Sequence, residues 1–537
     1  MNVPSSLVGS EAAAAPSFEG IPWVGLVGVL LATFISTLNG RLSSFGLNDI
    51  RGAMHAGFDE GAWISTAQTV AQMLAAPLAV WLGRIYGPRR VLLSSALAFA
   101  VISAIKPLSP NLNCLVLLQF AGGIASGFFV PLTVSYILRS VPPRYWAYGI
   151  AIYALNLELS LNISASLEGW YVEYLSWHWI FWQNVPLALG MALFLHFGVR
   201  TEPISPERER ADIFGLLSGG IGLALVYAAL DQGDRLDWFG SGLVWGLLIS
   251  GVLLIAAFVV HELYTPYPFV DLRYTATAPM PRIALLTVLL RVTVLSTSFV
   301  VPQFLGVVRG FRALETGQTL VWVAIPQLLI CVVAGLALRR VDARLVGCCG
   351  MALIAAACLM VSHGLTPEWG WPEFLVSQLL QAVGQSLALT GVIFYGILNL
   401  RPQDALTFGA ISQVARLMGG EIGQAFITTF IRVRSQIASN LIGLHVQSGD
   451  AQVVRRLQGY AAATARAGDP SSGMARGARL LSSVIHRMAT TQAIIDSFVV
   501  IATLAAIGLI VLVTSKAAPV GPASPQLLLS ALDVENL

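Results

Sequence analysis

The chain has 537 residues, 56% of them hydrophobic and only 11% charged, with a mean hydropathy of +0.74. Soluble domains carry roughly 25% charged residues, so a water-soluble globule is excluded and an integral membrane protein is expected. Thirty-one basic against 28 acidic residues leave a formal charge of +3, which points to no nucleic-acid partner.

A bilayer-crossing helix takes about 20 mostly apolar residues. Fourteen segments of about that size follow in order at 21–38, 62–82, 91–108, 112–138, 147–170, 179–199, 213–231, 240–261, 282–307, 317–338, 345–362, 373–399, 406–430 and 492–514. Residues 1–20 hold no Lys or Arg, so the first apolar run reads as a retained helix and not a signal peptide. Cys114, Cys331, Cys348, Cys349 and Cys358 lie in or beside apolar runs without a CxxC pair, and read as small membrane-core residues.

Cytoplasmic loops are enriched in basic residues. With the N-terminus inside, the inner loops hold Arg84, Arg89, Arg90, Arg139, Arg144, Arg339, Arg340 and Arg344 among others, and the short outer ones only Arg51, Lys106, Arg235, Arg309 and Arg312. Both termini are thus expected on the cytoplasmic side. The region 432–490 would lie outside despite eight arginines, because loops approaching that length translocate largely regardless of charge. Ile437, Leu441 and Leu444, then Leu480, Val484 and Met488, recur at helical spacing. They predict two amphipathic helices around a turn at Gly468–Gly473, either capping the bundle or offering a docking surface.

Local patterns appear in a characteristic order: WLGRIYGPRRVLL at Trp81–Leu93, GGIASGFFVP at Gly122–Pro131, LSWHWIFWQNVP at Leu175–Pro186, LDWF at Leu236–Phe239, PFVDLRY at Pro268–Tyr274, RRVDARLV at Arg339–Val346 and ARLMGGEIGQA at Ala415–Ala425. Together they resemble the major facilitator superfamily, specifically its fourteen-helix drug:proton antiporters of the EmrB/QacA type. The resemblance implies an all-α membrane protein with a six-helix bundle over 21–199, two inserted helices over 213–261 and a second six-helix bundle over 282–514, flanked by tails 1–20 and 515–537. It implies halves that rock about a midplane cavity, and a gating loop at Arg84, Gly87, Arg89 and Arg90. It also implies export of amphipathic compounds against returning protons, with neither cofactor nor enzymatic chemistry. In Gram-negative bacteria such relatives work with a periplasmic membrane-fusion adaptor and an outer-membrane channel.

The chain departs from that pattern at coupling positions. Asn39 stands where the family's first helix has an acid, Gln119 where its fourth has an arginine, and Arg84 where the loop has an aspartate. Val80 replaces that loop's first glycine, and the helix-5 G-P-x-x-G-G signature reads Ser164-Ala165-Ser166-Leu167-Glu168-Gly169. An alternative therefore stands beside drug efflux: a non-transporting sensor or assembly protein, or an exporter of anionic metabolites such as fatty acids or siderophores.

Ionisable groups inside a membrane are costly and face a partner or a wet cavity. Glu158 shares a helical face with Asn162 and Ser166, and reads either as a proton carrier or as the partner of Arg41 or Arg291. Glu421 and Glu168 are further proton-coupling candidates. Arg41, Asn39, Gln119 and Arg291 are candidates to line the substrate cavity, with Gln378, Gln381 and Gln385 at i, i+3 and i+7. The alternative for the uncharged groups is hydrogen bonding between helices. Glu421 and Arg416, five residues apart, are expected to face different neighbours. No nucleotide-phosphate loop, H-E-x-x-H or G-x-S-x-G motif occurs, and the seven histidines are scattered.

Overall fold

A computed structural model describes residues 23–142, 145–201, 212–265, 276, 280–398, 405–446, 450–465 and 473–517. Among the described residues fourteen long helices occupy the fourteen expected positions. In order they are α1 (Trp23–Phe45), α2 (Phe58–Tyr86), α3 (Pro88–Leu108), α4 (Leu112–Ser140), α5 (Trp146–Tyr174), α6 (Trp179–Gly198) and α7 (Ile213–Gly233), then α8 (Gly242–Tyr264), α9 (Met280–Val307), α10 (Ala313–Leu338), α11 (Ala343–Gly364), α12 (Trp371–Leu398), α13 (Ala405–Leu444) and α14 (Gly473–Val513). Twelve are long and apolar enough to cross a membrane; the more polar α2 and α13 complete the set.

Helices α1–α6 pack on one another, and so do α9–α14. Between these halves α5 lies along α10, while α4 and α2 meet α13. The inserted α7 packs on both α2 and α13, and α8 packs on α7. Only 11% of the apolar window of α8 is buried, as a helix facing lipid requires. The turn between α2 and α3 marks one end of the bundle, here the Gly87 end; Asn48, on the short helix Leu47–Ala53, marks the other. Gly87 has φ +77, a conformation that suits glycine.

The region 432–490 differs from expectation. Instead of two separate amphipathic helices, α13 continues to Leu444 and α14 begins at Gly473, with the helix Ala451–Ala465 between them packed on α14. Forty and 41 residues span about 60 Å each, twice the ~30 Å hydrocarbon core. Most of the expected turn, residues 468–472, lies outside the described residues. Lys106 also differs: assigned to an outer loop, it is fully buried. Its Nζ donates to Gln119 Oε1 at 2.6 Å and lies 5.7 and 5.5 Å from the ring centres of Phe99 and Phe181. Room for it comes from Gly122, where a Cβ would stand 2.8 Å from Nζ.

Glycines set the closest approaches. A Cβ at Gly127 would fall 2.6 Å from Ala75, and one at Gly419 2.9 Å from Val288. At Gly420 nothing lies within 4 Å, since that face borders a cavity. Between the halves, Gly169 abuts Leu314, Gly317 abuts Ser166, Gly335 abuts Tyr148 and Gly409 abuts Pro131. With hydrocarbon on all sides, such backbone-to-backbone contact is what holds transmembrane helices together. Gly317→Leu is expected to push α10 off α5 and cost about 1–3 kcal/mol, read as a lower unfolding midpoint of the purified protein. Gly420→Ala should leave that midpoint unchanged.

Candidate functional site: a charged cavity between the halves

The polar stripe of α5 faces the opposite half. Glu158 Oε1 lies 3.8 Å from Arg291 Nη1 of α9, with side chains 1% and 11% exposed. Asn162 Nδ2 reaches Gln327 Oε1 of α10 at 3.4 Å, and Ser166 meets Gly317. Of the two partners open for Glu158, Arg291 is the one in contact. The pair is loose: among the described residues neither carboxylate oxygen accepts a hydrogen bond, and Arg291 Nε has no partner either. In a low-dielectric interior a buried carboxylate without hydrogen bonds is poorly compensated.

Arg41 of α1 also crosses to the other half. Its Nη2 donates to the Ser298 carbonyl and its guanidinium sits 5.1 Å from the Phe45 ring centre. Ser298 belongs to a π-helical turn at Ser296–Val300 inside α9, an irregularity that frequently marks functional positions. Arg416 of α13 directs Nε and Nη2 onto Gln413 Oε1 at 3.2 and 2.8 Å, whereas Glu421 hydrogen-bonds with Tyr227 of α7. The two face different neighbours, as their spacing implies.

Arg41, Arg291, Arg416 and Glu421 line one cavity of about 160 Å³, together with Ser65 and Gln72 of α2 and with Tyr227 and Asp231 of α7. A second cavity, of about 530 Å³, shares Arg41, Ser44, Ser298 and Gln424 with it and runs to the Asn48 end, where Asn48, Asp49, Glu173 and Arg312 are exposed. The larger volume falls in the range of organic-ligand sites. Glu168 lines it beside Asp49 and is 1% exposed. At the Gly87 end the halves are joined. Arg84 Nη2 donates to Thr407 Oγ1 at 3.0 Å, and Arg339 Nη1 donates to Tyr148 Oη at 2.8 Å.

The remaining candidates sit within one half. Asn39 Oδ1 accepts from Asn184 Nδ2 at 2.8 Å, and Gln119 joins Lys106 to Ser43. Gln385 Nε2 donates to Thr297 Oγ1 at 2.8 Å and to Gln381 Oε1 at 3.2 Å, while Gln381 donates to Cys358. Gln378 is buried with Oε1 unpartnered. None of these five borders either described cavity; hydrogen bonding between helices accounts for most of them. In the loop, Arg89 holds Thr201 and the His196 carbonyl, and Arg90 is exposed.

Sequence reading missed the part played by α7. Asp231 closes the apolar run 213–231 and looks like its boundary, yet it accepts hydrogen bonds from Thr66 and, at 3.0 Å, from Gln232, and borders the central cavity. Tyr227, one turn earlier, had only its helical register to offer as a signal.

The major facilitator family model matches residues 29–424. The chain is 26% identical to the multidrug export protein EmrB of Escherichia coli over 75% of this chain and 79% of that one. It is 24% identical to the fatty acid resistance protein FarB of Neisseria gonorrhoeae over 80% and 85%. Its fold resembles that of the proton:xylose symporter XylE, with a TM-score of 0.60 at 10% identity over 95% of this chain and 99% of that one. With two helical halves facing each other across a charged cavity and a family match over most of its length, this protein belongs to the major facilitator superfamily.

Proposed function

We propose that the chain is a secondary exporter of amphipathic organic compounds, driven by returning protons and working by alternating access. The observation that carries this reading is the Glu158–Arg291 pair, which joins the two halves; Arg291 lines the smaller cavity, Glu158 lies behind it, and the larger cavity beside it opens at the Asn48 end while the halves are joined at the Gly87 end. In this reading the shut Gly87 end is cytoplasmic, the Asn48 end faces the periplasm of a bacterial inner membrane, and both termini lie inside. Residues 21–199 and 282–514 are the moving halves and 213–261 the insertion. The Arg84–Arg90 loop acts as inner gate, and its Thr407 contact breaks when that gate opens.

Deprotonated, Glu158 is held to Arg291 by charge alone. A proton arriving from the open side cancels the attraction, removes a charge from the interior and lets the halves part at a low electrostatic cost. Glu421 and Glu168, both buried beside the cavities, are further acids on the same route. The extension of α13 and α14 beyond the membrane supports docking of a periplasmic adaptor that hands substrate to an outer-membrane channel, as does the likeness to EmrB-type proteins.

Substrate charge fixes the sign of coupling. A cationic amphiphile competes with protons for the carboxylates Glu158, Asp231 and Glu421, so each excludes the other, as antiport requires. An anionic one, which the guanidiniums of Arg41, Arg291 and Arg416 favour, binds better once protonation of Glu158 frees Arg291. Three arginines lining one small cavity and the likeness to a fatty acid resistance protein support an anionic substrate, whose binding together with the proton is co-transport and not the antiport proposed above.

In proteoliposomes with an imposed pH gradient, wild type should accumulate a lipophilic cationic dye against its gradient, and Glu158→Gln should abolish the pH-driven part at least tenfold while retaining facilitated exchange. Uptake indifferent both to the gradient and to Glu158 rejects the coupling assignment. Equilibrium binding separates the substrate classes. Affinity that falls as pH is lowered identifies a cationic substrate; affinity that rises, and is lost in Arg291→Ala, identifies an anionic one.

A further inference from the structure

The turn leaving the inserted helix α7 holds both halves at once, with unequal grips. Toward α2, Asp231 accepts from Thr66, Gln232 Nε2 donates to the same hydroxyl at 2.6 Å, and Arg235 Nη1 reaches Asp59 Oδ1 at 2.5 Å. Thr66 and Gln232 are each 1% exposed, whereas Asp59 is 77% exposed, so the buried part of this grip is the Thr66 cluster. Along the same seam Gly220 of α7 lies so near α2 that a Cβ would stand 3.1 Å from the Leu74 side chain and 3.4 Å from its carbonyl oxygen. Toward α13, Asp234 Oδ1 accepts from Thr429 Oγ1 and Arg432 Nε, both at 3.0 Å, and Trp238 Nε1 donates to Thr429 at 3.0 Å. The Arg432 and Asp234 side chains are 40% and 21% exposed.

Buried hydrogen bonds are costly to break because their groups lose water as well as each other, whereas half-exposed polar contacts exchange for solvent at little cost. The backbone adds a second sign of a built contact. Asp237 and Trp238 have φ of +61 and +43, a region that side chains larger than glycine rarely occupy, and a Trp there persists only where surrounding contacts hold it. Its ring lies against Gly233, where a Cβ would be 2.6 Å away, while its indole N–H holds α13.

We infer that the inserted pair travels with the first half, anchored on α2, and that Asp234 and Trp238 form a latch on Thr429 and Arg432 of α13 that stabilises the state with the cavity open at the Asn48 end. When the second half rotates, α13 slides past α7 and the latch parts, together with the Tyr227–Glu421 contact two turns before it, while the α2 grip stays whole. This rests on the alternating-access reading and is independent of which acid carries the proton.

The test reads conformation instead of transport, so it can fail while proton coupling stands, and the reverse. Spin labels at Phe197→Cys and Leu345→Cys, both exposed at the Gly87 end of opposite halves, are placed in the otherwise cysteine-free full chain in lipid nanodiscs. Pulsed electron-electron resonance then measures their separation. Asp234→Ala and Arg432→Asp should each raise the longer-distance fraction roughly twofold to fivefold, the range expected for one partly exposed ion pair. The reversed pair Asp234→Arg with Arg432→Asp should bring it back, and the isosteric Asp234→Asn serves if the alanine variant expresses poorly. A distance distribution unmoved by these single variants, or moved equally by Thr66→Val on the α2 side, overturns the latch.

Discussion

Hydrocarbon solvates no charge, so every ionised group in this chain must find its compensation inside the protein. That constraint organises the molecule. Lipid-facing surfaces such as α8 carry almost nothing but apolar side chains, and the ionisable groups gather on the seam between the halves. Glu158, Arg291, Arg41, Arg416 and Glu421 come from α1, α5, α9 and α13, and each is matched at least partly by a group on a different helix or by the cavity itself. A seam assembled this way is stable only while its charges balance, and in the proposed mechanism that balance is what a proton or a charged ligand alters.

Much of this was legible from periodicity. Fourteen apolar runs gave fourteen helices with boundaries mostly a few residues off, and the i, i+4, i+8 stripe of Glu158, Asn162 and Ser166 marked the face of α5 that meets the other half. Periodicity cannot tell a wet face from one hydrogen-bonded to a neighbour. Gln378, Gln381 and Gln385 show as regular a spacing as the α5 stripe, yet they bond inside the second half or stay buried there. Arg41 posed a different difficulty: its acceptor is a backbone carbonyl in a π-helical turn of α9, and a carbonyl leaves no trace in side-chain patterns.

Boundaries failed where charge was taken as a sign of a loop. Arg432 and Arg434 seemed to end the thirteenth span, but helix propensity continues through them and α13 simply leaves the membrane as a helix, with Arg434 paired to Asp496 of α14. Lys106 failed in the opposite sense. A lone lysine at the end of an apolar run looks like a solvated anchor; here two aromatic rings, one glutamine oxygen and the space left by Gly122 make a buried place for it.

The two seams between the halves are built from different physics, and that difference bears on how they can move. Along α5 and α10, close packing runs from one end to the other, Gly169 on Leu314, Gly317 on Ser166 and Gly335 on Tyr148, with the hydrogen bonds Asn162–Gln327 and Arg339–Tyr148 added to it. Dispersion contacts of this kind fall off steeply with separation, so this seam resists being pulled apart and tolerates only small rotations about its own line. Across the molecule α2 and α4 meet α13 directly, and α7 adds a contact with α13 that is buried at Tyr227 and Glu421 but partly open to water at Asp234 and Arg432. Polar groups at such a surface can trade partners with solvent without a large barrier. In the alternating-access reading proposed above, the stiff edge is the hinge and the inserted helix sits where the displacement is greatest.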